Sequence, residues 1–316
     1  MYHIIINPHS RSGQAAVIGD HIEEILKERE VAYTAHRTTA PGDATRFAEE
    51  ITRSAEDARG ITGIIVLGGD GTLDEVVNGL HLEARVPVGY IPTGSGNDFA
   101  RGNGLPTVPE EGLKRILASQ QTKELDIGVL VCDEDPATRH RFVVSAGTGY
   151  DAAVCVQTFR DKAKVWLNKI HLGKLSYVKI GVQEIVGLKP TDAELCYRED
   201  ASSEIVRLPL RQMAFTSAHI LPYEGGGFAF APNADPTDGK LDLCVVEESS
   251  SLKIVPVLLS SMWKGHEKRK GVHAIRCTEA WLTLENALPA HTDGELRGTP
   301  KKDHYFVENG KLLLIV

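Results

Sequence analysis

Gly-x-x-x-x-Gly-Lys-Ser/Thr, the usual phosphate loop, occurs nowhere in these 316 residues, so any phosphate site here is of another kind. Also missing is any run approaching the ~20 continuous apolar residues that a membrane-spanning helix needs. Cysteine is sparse. Cys132, Cys155, Cys196, Cys244 and Cys277 stand far apart with no Cys-x-x-Cys pair, which argues against a disulfide framework or a zinc site and fits a reducing compartment. Acidic residues outnumber basic ones, 43 against 35, for a net charge of -8. That surplus excludes bulk nucleic-acid binding and makes any basic site a local one. The opening Met1-Tyr2-His3-Ile4-Ile5-Ile6-Asn7 lacks the basic start and apolar core of a secretory leader, so a cytoplasmic location is expected. No internal repeat or low-complexity linker interrupts the chain.

What is present falls into two textures. Up to about residue 125, strand and helix alternate. Tyr2 to Ile6 reads as a strand, Ala15 to Arg29 as an amphipathic helix with Val17, Ile18, Ile22, Ile25 and Leu26 on one face, and Ala32 to Arg37 as a second strand. A helix over Gly42 to Ala58, the apolar run Gly63 to Leu67, a strand over Val86 to Ile91 and a helix near Glu110 to Ser119 follow. The pattern predicts an α/β unit with a doubly wound, mostly parallel sheet. From about residue 126 short β-rich runs separated by turns predict an antiparallel sandwich or barrel. Helical insertions interrupt it at Asp161 to Gly187 and Leu252 to Lys264. Leu312 to Val316 is a closing strand that could return to either half.

The Gly63 run leads into Gly68-Gly69-Asp70-Gly71-Thr72, with a helix predicted over Thr72 to Leu80. Glycines there can take positive φ and leave backbone N–H groups bare at a helix N-terminus, which suits phosphate. Asp70 would repel an anion at such a place, and makes sense if it holds a divalent cation or accepts a proton. In open α/β sheets ligands bind outside the carboxyl ends of the strands, and three other polar loops leave strands at that rim. They are Asn7 to Gly13, Thr38 to Asp43, and Pro92-Thr93-Gly94-Ser95-Gly96-Asn97-Asp98. Each alone is ordinary turn chemistry, with Asn7 and Asp43 as caps.

Taken in order, Gly-Gly-Asp-Gly-Thr-x-x-Glu-Val-Val-Asn-Gly at 68 to 79, Pro-Thr-Gly-Ser-Gly-Asn-Asp-Phe-Ala-Arg at 92 to 101, Gly-Gly-Gly-x-x-x-x-Pro-x-Ala at 225 to 234, Asp-Gly-Lys-Leu-Asp at 238 to 242 and Asp-Gly-Glu at 293 to 295 resemble the diacylglycerol kinase catalytic family in its bacterial lipid kinase branch. Gly-Gly-Asp-Gly alone is shared with NAD kinases and phosphofructokinases. The resemblance implies ATP-dependent, Mg²⁺-requiring phosphorylation of a lipid hydroxyl, with nucleotide held on an N-terminal domain over 1–125 and lipid reached from a β-rich domain over 126–316. By the same resemblance, nucleotide contacts fall to Asn7, Pro8, Ser10, Ser12, Gly13, Thr38, Gly68, Gly69, Asp70, Gly71, Thr72, Glu75, Gly94, Ser95 and Asn97. The first loop reads Asn-Pro-His-Ser-Arg-Ser-Gly where the family has Asn-Pro-x-Ser-Gly, so either Ser10 or Ser12 could take the phosphate-side role.

The same resemblance puts the general base at Asp293 or Glu295; read by itself, Asp293-Gly294 is also a common hairpin turn. It implies a Mg²⁺ that shapes the site, held by Asp235, Asp238 and the carbonyl of Lys240, where a capped turn is the competing account. The scattered histidines lack metal spacing, and Trp166, Trp263 and Trp281 suit a core. A lipid kinase must come to its substrate, so a peripheral position on an anionic membrane surface is expected. Two basic stretches could serve it, Lys162 to Lys179 and Lys264 to Lys270. Two rivals stand beside this reading: a kinase for a soluble acceptor such as NAD, and a non-catalytic nucleotide or lipid sensor.

Overall fold

The computed structural model describes residues 1–53, 59–119, 121–150, 152–153, 189–225, 227–248 and 251–316, apart from the side chains of Ser12 and residues 251–253. The helical insertion expected over Asp161 to Gly187, with Trp166 and the lysines from 162 to 179, lies outside the described residues, as does Cys155. The chain divides into two units, Met1–Ile127 with Asn309–Val316, and Gly128–Glu308.

In the first unit the strands are β1 (Tyr2–Ile6), β2 (Tyr33–Arg37), β3 (Gly63–Gly68), β4 (Val88–Pro92) and β5 (Thr122–Leu125). The helices are α1 (Gln14–Glu28), α2 (Asp43–Thr52), α3 (Asp70–Gly79), α4 (Asp98–Gly102) and α5 (Pro109–Ala118). In the second unit β6 (Gly128–Cys132), β7 (His140–Phe142), β8 (Ser145–Gly149), β9 (Thr191–Arg198) and β10 (Val206–His219) come first. They are followed by β11 (Leu241–Glu247), α6 (Ser251–Ser261), β12 (Val272–Cys277) and β13 (Glu279–Leu284). β14 (Ala290–Thr292), β15 (Glu295–Leu296) and β16 (Lys302–Val307) complete it, and β17 (Leu312–Ile315) belongs to the first unit.

The first sheet runs β2-β1-β3-β4-β17-β5. All its pairings are parallel except that of β17 with β5. Every residue of β3 and β4 is buried, as their apolar, β-branched composition requires of strands covered on both faces. α1 lays Ala15, Gly19, Ile22 and Leu26 on the sheet, and the core it helps form includes Ile4, Ile6, Ile65, Leu67, Ile91, Leu113 and Ile116. Val17, expected on that face, is 71% exposed, because it lies about 200° round the helix from Ala15. α2 and α3 approach so closely that a Cβ on Gly79 would lie 2.1 Å from the carbonyl oxygen of Thr45.

The second unit is built on one continuous, curled antiparallel sheet of eleven strands, the form taken by the sandwich or barrel expected from sequence. Its long strand β10 pairs with β9 along its first half and with β8 and β11 along its second. The switch falls at a register shift between Leu210 and Met213, where Gln212 takes φ 51 and its N–H donates to Asp192 Oδ1 at 2.9 Å. Two of the β-rich runs in the sequence, Ile205 to Leu210 and Met213 to Ser217, are therefore joined in one bent strand. Leu130, Phe142, Leu195, Met213, Leu243 and Tyr305 are among the residues filling the core inside the curl. A second apolar cluster holds Tyr150, Phe215 and Phe230 together with Ile254 and Val257 of α6. Among the described residues no helix is long and apolar enough to cross a membrane.

Candidate active site

In the first unit three of the four loops at the carboxyl ends of the strands are tied into one structure. Asn7 leaves β1, and its Nδ2 donates to Thr72 Oγ1 at 2.9 Å in the first turn of α3, while its Oδ1 accepts the N–H of His9. Ser10 lies 2.7 Å, hydroxyl to hydroxyl, from Thr93 in the loop after β4, and its own hydroxyl donates to Asn7 O. Thr93 N–H in turn donates to Gly68 O at 2.8 Å. Asp70 closes the set, its Oδ2 accepting the N–H of Asn97 at 2.7 Å.

The glycines serve close approach here. None of Gly68, Gly69 or Gly71 has positive φ, contrary to the expectation from sequence, and Gly69 is extended at φ -88, ψ -177. A Cβ on Gly94 would lie 2.8 Å from Gly69 Cα, and one on Gly68 2.5 Å from Thr72 Cβ. The backbone at Gly94 therefore packs directly against that of Gly69, the residue before α3. α3 begins at Asp70, two residues earlier than its sequence pattern suggests. Positive φ appears instead at Gly13, the residue before α1, and at Asn97, the residue before α4.

The remaining expected nucleotide residues are placed less uniformly. Thr38 is buried at the end of β2, its N–H donating to Ile6 O. Its loop is closed locally by Asp43, whose carboxylate accepts the N–H and hydroxyl of Thr39 and the N–H of Ala40 and pairs with Arg46. Those hydrogen bonds, led by the Thr39 N–H, hold that carboxyl well below its usual range. Glu75 faces away from the tied loops, its Oε2 accepting the N–H of Ala44 at the start of α2. Ser95 is exposed, Pro8 is half-buried, and the side chain of Ser12 is outside the described set.

Sequence reading missed two residues of this cluster, Thr93 and Tyr90. The Tyr90 hydroxyl donates to Gly68 O at 3.3 Å, and burial, with the nearby Asp70 carboxylate, pushes its ionisation well above the usual range. A single tyrosine in the otherwise small and aliphatic Val88–Pro92 strand was the available signal.

In the second unit Asp293 and Gly294 are the two central residues of the β14–β15 hairpin, with φ of 47 and 88. Both left-handed positions are what a type I′ turn demands. The Asp293 carboxylate also accepts three backbone N–H groups, from Val143 at 2.8 Å, Val144 at 2.9 Å and Ser145 at 3.0 Å. Burial pushes its pKa up while those three bonds pull it down, the net direction being upward. His291 Nδ1 accepts the N–H of Gly294, bracing the same turn. Glu295 follows as the first residue of β15 and is half-buried. The turn and the candidate base thus occupy one motif.

The loop before β11 is a capped turn in its local geometry. Asp235 Oδ1 accepts the N–H and hydroxyl of Thr237, Asp238 Oδ1 accepts the N–H of Lys240, and Asp238 also pairs with Arg276. Among the described residues no three His, Cys, Asp or Glu side chains converge as a ready metal cluster. One feature does fit a cation: Asp242 Oδ2 is buried without a hydrogen-bond partner. Burial, with Glu267 and Asp235 nearby, pushes the Asp242 carboxyl up to about 6. Asp235, Asp242 and the backbone of the turn offer the all-oxygen donor set that Mg²⁺ prefers.

Residues 1–130 match the diacylglycerol kinase catalytic domain, and residues 143–312 match the YegS C-terminal NAD kinase beta sandwich-like domain. A diacylglycerol kinase of Bacillus subtilis (strain 168) is 29% identical over 301 residues, covering 93% of this chain and 89% of its own length. The crystal structure of a diacylglycerol kinase from Bacillus anthracis str. Sterne superposes with a TM-score of 0.68 at 19% identity, over 99% of this chain and 96% of that one. An NAD kinase from Archaeoglobus fulgidus, solved in complex with ATP, shares the fold more distantly, with a TM-score of 0.52 at 14% identity over 100% and 94% of the two chains. Matched in order along both of its halves, the chain belongs to the diacylglycerol kinase catalytic family.

Proposed function

We propose that this protein transfers the γ-phosphate of ATP to a hydroxyl of diacylglycerol or a related lipid. The observation that carries the reading is the tied cluster of Asn7, Ser10, Asp70, Thr72, Thr93 and Asn97 around the N-terminus of α3. Bare N–H groups at a helix start favour anionic phosphate, and the glycine-to-glycine packing brings backbone donors within reach of it. Phosphoryl transfer needs alignment and charge neutralisation more than covalent help, and a rigid cluster of this kind supplies alignment.

Glu295 is the proposed proton acceptor for the lipid hydroxyl. The carboxylate of Asp293 is engaged by three N–H groups, which suits a positioning residue that fixes the hairpin carrying Glu295. Mg²⁺ would be held at the loop before β11 by Asp235, Asp238 and the carbonyl of Lys240, with Asp242 as a further ligand. There it would neutralise clustered carboxylates and order the loop. The membrane is the proposed meeting place, at the inner face of the cell membrane.

The sensor rival is tested by single turnover. With labelled ATP, Mg²⁺ and diacylglycerol in detergent micelles, label should move into the lipid with wild type, and Glu295→Gln should bind ATP as well as wild type while transferring little. ATP binding without transfer by wild type would favour the sensor.

A further inference from the structure

The end of α6 and the turn that follows it hold three large apolar side chains in solvent within five residues. Leu259, Met262 and Trp263 are 49%, 52% and 75% exposed, and no other stretch of the described residues exposes more than two such neighbours. Single exposed apolar residues need no explanation, but a cluster does. This one stands on a folded turn. Trp263 N–H and Gly265 N–H both donate to Ser260 O, Lys264 N–H donates to Ser261 O, and Arg269 Nε donates to Ser260 Oγ at 2.8 Å. Beneath it the buried His266 donates through Nε2 to Phe230 O at 2.9 Å, anchoring the turn to the apolar cluster under α6.

A basic collar surrounds the tip. Lys264, Lys268, Arg269 and Lys270 are all exposed, and Glu267 is the only acid among them, on a chain whose net charge is -8. Three apolar side chains are too few for the ~1,000 Å² that a stable protein interface buries, and a ring of like charges is depleted, not enriched, at the core of such interfaces. The same combination suits a bilayer surface. Tryptophan settles at the headgroup level, short apolar side chains dip below it, and lysines are drawn to anionic lipid.

We infer that the Leu259–Met262–Trp263 tip, with its collar of Lys264, Lys268, Arg269 and Lys270, docks this protein on the surface of an anionic lipid bilayer. The purpose of that docking rests on the lipid-kinase reading above; the docking itself is tested separately. The full chain would be mixed with phosphatidylcholine vesicles with and without phosphatidylglycerol, some carrying brominated acyl chains, and followed by tryptophan fluorescence and co-sedimentation. Wild type should show a blue shift and bromine quenching that Trp263→Ala lacks, and binding should weaken by roughly tenfold or more in that variant. Replacing Lys264, Lys268, Arg269 and Lys270 by Gln should remove the preference for phosphatidylglycerol and the salt dependence.

Equal vesicle binding by wild type and Trp263→Ala, or no bromine quenching of wild type, would overturn the inference. So would a lipid-free wild type in which Trp263 is already shielded and whose sedimenting mass falls on Trp263→Ala, since a second copy would then cover the tip. Turnover of a short-chain, freely soluble diacylglycerol should be the same in Trp263→Ala and wild type. Trp263-dependent docking by a wild type that phosphorylates no lipid at all would sustain the tip and strike the kinase reading.

Discussion

Asp70 and Asp293 both receive backbone N–H groups, yet replacing them should have opposite consequences. Asp70→Asn keeps an acceptor for the Asn97 N–H and removes the charge. Activity should then fall by at least ~10²-fold, roughly 3 kcal/mol of transition-state stabilisation, with little change in the melting temperature measured without nucleotide. Asp293→Asn offers one acceptor oxygen where two now serve three donors, and sets an NH₂ group against an N–H. It should cost about 1–3 kcal/mol of stability, read from a denaturant melt, and Glu295→Gln should leave the melt unmoved while lowering kcat. The polar loops were legible because each has a local signature of Gly, Ser, Asn or Asp. Tyr90 and Thr93 were not, since a hydroxyl's partner depends on which loops the fold brings together.

At the scale of elements, close packing makes its own demand on sequence. Gly79→Ala would press a methyl group into the Thr45 carbonyl, forcing α2 and α3 apart at a cost of about 1–3 kcal/mol. The melting temperature should drop while the KM for ATP stays near wild type, because Gly79 lies at the far end of α3 from the tied loops. In the second unit β16 carries Asp303, which is 2% exposed and whose Oδ2 accepts the Thr148 hydroxyl at 2.8 Å. Burial pushes its carboxyl up to about 7. The folded chain therefore holds a proton that the unfolded chain releases, so this group's contribution to stability is full below about pH 4 and is lost as pH rises through about 7. Urea melts at about pH 5 and about pH 8 should show that decline in wild type, and a smaller one in Asp303→Asn. Parallel pH profiles would remove Asp303 from the account.

Buried strands such as β3 were plain in the sequence because composition alone marks them. β14 and β15 were not, since two- and three-residue strands carry too few side chains for an alternating pattern, and the β10 bulge merges two apparent runs into one. Expected helix ends were off by a residue or two, as with α3, which begins at Asp70 and not at Thr72, while the expected end of α2 at Ala58 lies outside the described residues.

At the scale of the whole molecule, the chain leaves its first unit after Ile127 and returns at Asn309, so that β17 completes the first sheet between β4 and β5. Sequence alone left that strand unassigned, because four apolar residues fit any buried sheet equally well. The acceptor was equally illegible, since acyl chains are recognised by shape and apolar area, which many side-chain sets supply. The central claim is therefore tested at the acceptor. Wild-type protein with labelled ATP and Mg²⁺ would be offered diacylglycerol, a sphingoid base and phosphatidylglycerol in detergent micelles, beside NAD in solution. Label should enter at least one lipid, with a kcat/KM exceeding that for NAD by more than about 10²-fold and falling by a like factor in Asp70→Asn. Efficient labelling of NAD with no transfer to any lipid would contradict the lipid-kinase account.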